Sequence, residues 1–226
     1  MAWLTVAALV WIGVHIGIAG SRLRRVLARR LGEMGFRAAF SLLSVLAIGF
    51  LVSAYNHAPF VLLWAAPAWL RWVLVGIMLA AFLLFAASIL TRNPTLVGEE
   101  SALRQTPHGM LRVTRHPMLW SFVLWAAVHV LGNGDTASLL FFGAFLVTAL
   151  AGMPSIDAKM AERDPEGWRG FAAVTSIVPF GAIAGGRTRF VPEEIGWWPV
   201  IVGVVLWGLT LWAHPRLIGV SALPMG

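Results

Sequence analysis

Six long apolar stretches, at 3–20, 38–56, 70–91, 117–133, 136–154 and 196–213, take up about half of this 226-residue chain and leave few folds open to it. A hydrocarbon core about 30 Å thick is crossed by about 20 apolar residues of α-helix. Lipid offers no partner to an open backbone N–H or C=O, so helices are the expected spans. The alternating pattern of a barrel strand is absent. Hydrophobic residues make up 59% of the chain and charged residues only 12%, against about a quarter charged in soluble domains. The expected fold is therefore all-α: a polytopic integral membrane bundle of about six transmembrane helices, in contact with membrane lipid.

The flanks of these stretches set the expected direction. Arg22, Arg24, Arg25, Arg29, Arg30 and Arg37 follow the first; Arg92, Arg104, Arg112 and Arg115 follow the third; Lys159, Arg163, Arg169, Arg187 and Arg189 follow the fifth. Only Arg71 and Arg216 fall on the other face. The positive-inside rule then puts both termini on the non-cytoplasmic side, with a bacterial inner membrane the expected location. The net charge of +7 is accounted for by topology and anionic headgroups, and nucleic acid is not an expected partner. Basic residues follow the first apolar run instead of preceding it, so that run reads as a retained span and not as a signal peptide. There are no cysteines, which excludes disulfides, thiolate catalysis and Cys-ligated metal.

Inside the runs there is no Asp, Glu or Lys, Arg71 sits only at an edge, and the histidines that remain inside are His15 and His129. An ionisable group at membrane depth is a functional candidate by default, and neutral imidazole is a good ligand for iron, copper or zinc. Trp11 and Trp125 each stand four residues ahead of one histidine, one helical turn away, where an indole can wall in a planar ring. Gly13 and Gly17 bracket His15, and Ala126 and Gly132 flank His129; small residues let a helix or a flat ligand come close. On the residues alone two readings stay open: a shared metal or heme centre, or two separate structural histidines that each bond a carbonyl. At 1.5 Å per residue, His15 lies about 10 Å from Arg22 and His129 about 18 Å from Pro117, a mismatch of about 8 Å that leaves His57 as a substitute partner for His129 near the outer face.

"TRHP" (114–117) opens the fourth run. Pro117 suits a first helical turn, and Arg115 and His116 then stand at a helix N-terminus, where free N–H groups and the dipole favour an anion. A heme propionate, the carboxylate of S-adenosylmethionine and a lipid phosphate are the candidates, beside a plain interfacial anchor. Glu99 and Glu100 in "TRNPTLVGEES" and Glu162 in "AERDPEGWRGFAAVTSIVP" are further acids on the same rim. The first part of 155–195 is expected to lie at the membrane surface as a short amphipathic or broken helix.

Four pieces together resemble a family: "VHIGIAGSRLRR" (14–25), "NPTLVG" (93–98), "TRHP" (114–117) and "WAAVHVLGNGD" (125–135). They are similar to the NnrU membrane proteins, whose relatives include the 15-cis-zeta-carotene isomerases of plants and algae. The resemblance covers a core of about 3–180 within a single membrane domain of 1–226 and leaves the apolar run at 196–213 as an extra span. It implies a heme b with His15 and His129 as axial ligands; Arg22 and Arg115 are the expected propionate contacts. It also implies either cis–trans isomerisation of an apolar lipid-phase polyene or a redox role linked to nitrogen oxides. The isomerase branch has a Cys three residues before the second histidine; here that position is Ala126, so a thiolate-exchange switch is closed to this chain. A second resemblance, of "TRHP" and the 161–179 segment to membrane methyltransferases, implies S-adenosylmethionine held by Arg115, His116 and Glu162. A third class is an assembly factor for a membrane oxidoreductase.

Overall fold

The computed structural model describes residues 1–96, 98 and 100–224, the side chains at 100 and 101 excepted. Glu99 and the side chain of Glu100, candidates for the acidic rim, lie outside what is described. In chain order the helices are α1 (Ala2–Ile12, continued as a π-helix over Gly13–Ala19), α2 (Arg22–Asn56), α3 (Ala68–Leu90), α4 (Met110–Val113), α5 (Pro117–Asn133), α6 (Thr136–Arg163), α7 (Pro165–Val174), α8 (Gly181–Ala184) and α9 (Trp197–Leu217). Among the described residues there is no strand, only an isolated antiparallel bridge between Leu62 and Asp135. Among the described residues five helical segments are long and apolar enough to cross a membrane, and α5 is a shorter apolar helix. With 17 residues, α5 is about 26 Å long, at the short end for a span.

The chain forms two compact units, one of residues 1–67 and 126–152, the other of residues 68–125 and 153–226. In the first, α1 and the π-helical turn pack along α2, with Leu4, Ala7, Val14, Ala47 and Leu51 buried. The π-helical turn ends at Ala19, and Ser21 caps α2, its hydroxyl accepting from the Leu23 N–H at 3.1 Å. Helix α2 is kinked at Gly32, whose φ of 74° is open to glycine.

The turn between α5 and α6 is closed by a strap from residues 61–64. Leu63 and Trp64 donate to the Gly134 carbonyl (2.8 and 3.0 Å) and Thr136 donates to the Val61 carbonyl (3.0 Å). The indole N–H of Trp64 donates to the Leu131 carbonyl at 3.0 Å. Gly134 has φ 67°, and a Cβ there would collide with the Trp64 carbonyl oxygen. Asp135 accepts from the Ser138 N–H (2.9 Å), capping α6.

In the second unit α3 and α9 pack on each other. Gly203 allows the approach, since a Cβ there would meet Leu83 at 2.9 Å, and the Trp207 indole donates to the Val75 carbonyl at 3.2 Å.

Helix α6 does not stop near residue 154. It continues through Pro154 to Arg163, and Asp164 then caps α7, accepting from the Gly167 N–H at 3.0 Å. The segment expected as one broken surface helix is thus the last turns of α6 followed by α7.

Candidate functional site

His15 sits in the π-helical turn. The local sequence, Gly13 and Gly17 alternating with Val14, Ile16 and Ile18, is poor in helix formers, and π-helical turns cluster at functional positions. The Nδ1–H of His15 donates to the Trp11 carbonyl at 3.0 Å. Only a protonated Nδ1 can serve a carbonyl, so in the neutral ring the Nε2 lone pair is left uncommitted, the tautomer a metal requires. The Trp11 indole covers the imidazole at a centroid distance of 3.9 Å, and Phe40 of α2 meets its edge at 5.5 Å and 72°.

From Trp11 the rings continue within the same unit. Trp11 meets Phe145 of α6 at 4.7 Å, Phe145 meets Phe141 at 5.4 Å, Phe141 meets Phe142 at 4.9 Å, and Phe142 stacks on His129 of α5 at 4.6 Å and 22°. Tyr55 of α2 closes on Phe141 at 4.6 Å, and its hydroxyl lies 3.0 Å from that of Ser138. The two intramembrane histidines therefore stand at the ends of one run of aromatic contacts. That run, carried by Phe141, Phe142 and Phe145, escaped the sequence reading, although the "FFGAF" stretch offered three phenylalanines within five residues.

Gly13 and Gly17 do not line the imidazole. Two residues away along a helix is the opposite side, and a Cβ on either would meet nothing within 4 Å. The open glycine face is thus separate from the His15 ring. The Trp11 Nε1–H is buried without an acceptor. His57 is exposed, its Nδ1–H donating to the Ser53 carbonyl at 2.8 Å. Arg22 is exposed at the start of α2.

Among the described residues no three His, Asp or Glu side chains gather as a protein-only metal cage requires. A pair of imidazoles suits a cofactor that brings its own equatorial ligands, as a porphyrin does. The poised tautomer of His15 and the orphaned indole beside it are compatible with such a group.

The second unit holds the other candidates. Arg115 and His116 precede α5, and both bond a carboxylate of the chain itself: His116 Nε2–H donates to Asp157 Oδ1 at 2.7 Å, and Arg115 donates to Asp157 Oδ2 from Nη2 at 2.6 Å and from Nε at 3.0 Å. His116 is fully buried, and its Nδ1 has no partner. Trp168 of α7 lies under the Arg115 guanidinium at 5.2 Å. The loop after α7 is tied down here as well, Arg115 N–H to the Ser176 carbonyl (3.0 Å), Thr114 Oγ1 to Ile177 (2.7 Å) and the Trp120 indole to Ile177 (2.8 Å).

Asp157 is the residue that sequence reasoning missed. Its signal was the buried stripe Met153, Asp157, Met160 at spacings of four and three, which carries one acid along the inner face of α6. Glu162, the acid paired with Arg115 and His116 in the methyltransferase reading, is exposed. Trp125, one turn before His129 in α5, is half-buried and falls in the second unit.

The sequence pattern of the NnrU family, described as NnrU protein, matches residues 3–222. The chain belongs to the NnrU family. The match runs past residue 180 and takes in α9. Among curated relatives of this NnrU chain, the chloroplastic 15-cis-zeta-carotene isomerase of Arabidopsis thaliana is 27% identical over 222 residues, which cover 94% of the chain and 59% of the relative. The chloroplastic 15-cis-zeta-carotene isomerase of Zea mays is 25% identical over 190 residues, covering 80% and 50%. The chain thus spans between half and three-fifths of the length of these relatives. No solved structure matches it.

Proposed function

We propose that this NnrU protein is a heme b-binding membrane isomerase that acts on the cis double bond of a linear polyene taken from the lipid phase, with His15 and His129 as the residues that would hold the heme. Family membership and the two carotene-isomerase relatives support the substrate class. The observation that carries the site is the hydrogen bond from His15 Nδ1–H to the Trp11 carbonyl, which leaves Nε2 as the lone-pair nitrogen of the neutral ring, in the same unit that holds His129.

When bound, the heme supplies a redox-active iron to the π-system of the polyene. The chain's own part is orientation and exclusion. The Trp11 carbonyl orients the His15 ring, Phe142 packs on the His129 ring, and Phe141 and Phe145 make the surroundings apolar. An apolar rod-shaped substrate reaches such a place through lipid with no desolvation cost.

The test is the absorption spectrum of the detergent-solubilised full chain after expression with added heme precursor. The expected result is a Soret band with sharp low-spin features on reduction. His15→Ala and His129→Ala each abolish them, and chromatography shows 15-cis-zeta-carotene converted by the wild type and by neither variant. A preparation that stays colourless and leaves the polyene unchanged would overturn the proposal. If that preparation binds S-adenosylmethionine by calorimetry, the methyltransferase reading takes its place.

A further inference from the structure

Within the second unit, the loop between α7 and α9 carries a charged cleft and an apolar knob that neither the paired histidines nor the Asp157 cluster uses. The cleft, about 340 Å³, is lined by Thr106, Pro107, Arg112, Arg187, Thr188 and Arg189, among others. Three guanidiniums border it, and among the described residues only that of Arg112 pairs with a carboxylate. Arg112 bonds Glu194 through Nε (2.6 Å) and Nη2 (2.8 Å) and Thr188 through Nη1 (2.9 Å). Arg187 donates from Nη1 to the carbonyls of Ala172, Ala173 and Thr175, closing the C-terminus of α7. Those acceptors are neutral, so its charge stands. Arg189 is exposed and has neither a hydrogen bond nor an ion pair among the described residues.

The knob is Val178, Phe180 and Phe190, exposed by 63%, 52% and 46%, with the two phenyl rings edge to face at 6.1 Å. Phe180 is also the one non-glycine among the described residues with a positive φ, 62°. Such backbone strain persists only where the surroundings over-determine it. Here the Phe180 N–H donates to the Val113 carbonyl and its carbonyl accepts from Ala184, both at 2.8 Å. The chain thus holds a strained residue in place with half its ring exposed. Exposed rings beside guanidiniums whose charge no carboxylate offsets among the described residues are the composition of a membrane-interface contact, with apolar tips in the acyl boundary and charges at headgroup level.

We infer that this face is a binding site for an anionic phospholipid, its phosphate on Arg187 and Arg189 and its acyl region against Val178, Phe180 and Phe190. Free phosphate shares the charge but leaves the phenyl rings without a role, so the lipid is the occupant. The site does not depend on heme or on the isomerase reading.

The experiment is native mass spectrometry of the full chain released from mixed phosphatidylglycerol and phosphatidylcholine nanodiscs. Arg189→Gln is expected to weaken phosphatidylglycerol retention about fivefold, the value of one basic residue at an anionic surface, and Arg189→Lys to restore most of it. Phe180→Gly relieves the strained φ, so it is expected to leave the melting temperature unchanged or raised while lipid retention falls. Arg29→Gln, in the basic start of α2, is the charge-matched control and is expected to have little effect. Equal losses in Arg29→Gln and Arg189→Gln would overturn the site. So would retention of phosphatidylcholine as tight as that of phosphatidylglycerol, or full displacement of the lipid by millimolar inorganic phosphate.

Discussion

Asp157 Oδ1 lies 2.7 Å from His116 Nε2, and through that contact a carboxylate of α6 orients an imidazole at the head of α5. The side chains of Asp157 and Arg115 are each only 12% exposed, so the carboxylate offsets a guanidinium largely withdrawn from water. Removing one partner of such a pair strands the other. Asp157→Ala is therefore expected to destabilise the fold by about 3 kcal/mol or more, measured as thermal unfolding in detergent. Asp157→Asn keeps one acceptor for His116 but turns an amide NH2 toward the Arg115 donors, so it too is expected to destabilise, by less than Asp157→Ala because it leaves no cavity. If the two variants melt together with the wild type, the cluster carries no stability.

Phe142 stacks on His129 at 4.6 Å and 22° and is 7% exposed. Phe142→Ala opens a cavity and is expected to cost about 3–5 kcal/mol. Phe142→Leu fills most of the volume and is expected to cost less than about 1.5 kcal/mol while releasing the imidazole from its stack. The informative comparison is therefore in Phe142→Leu protein. Its folding is near normal, and under the heme reading its absorption spectrum broadens as the His129 ring loses its fixed orientation.

How much of this was legible in the sequence depended on which physical signal each element carried. Apolar length with Pro117 and Gly134 as punctuation located α5 at Pro117–Asn133 and the start of α6 at Thr136. Length alone does not see polar helix, so the Arg-rich first third of α2, from Arg22 to the kink at Gly32, read only as a basic connection. The same blindness hid Asp157, because a hydropathy window ends where charges begin, while the buried stripe of α6 runs on through Met160. His15 was visible as an isolated imidazole in an apolar run. Its π-helical setting and the carbonyl that fixes its tautomer are backbone properties that no side-chain pattern spells out.

Gly134 tests the strap over the α5–α6 turn. Its φ of 67° and the Trp64 carbonyl packed against its Cα leave no room for a side chain. Gly134→Ala is expected to lose more than about 2 kcal/mol, since it combines an unfavourable φ with a backbone collision. The strap is the first part expected to give way. Faster hydrogen exchange at Leu63, Trp64 and Thr136, whose N–H groups bond across the turn, checks it. Unchanged exchange at those three amides would mean the strap does not depend on this glycine.

Glu194 supplies the pH test. Its carboxylate accepts from the Arg112 guanidinium and from the Gly109 N–H at 2.8 Å, and the two hold it below its ordinary pKa, Arg112 contributing the larger part. A depressed acid adds stability that is complete above its unfolded value, about 4.3, and is lost as the pH falls through the folded one. Closure of the 188–195 segment onto the loop at 106–112 is therefore expected to be insensitive to pH near neutrality and to weaken on acidification below about pH 4.3. Limited proteolysis at Arg189 as a function of pH reads this directly. Glu194→Gln is expected to cleave at all pH values about as fast as acidified wild type and to show no acid limb of its own. A wild-type cleavage rate that stays flat below the carboxylate range would show that the Arg112–Glu194 pair does not hold the segment closed.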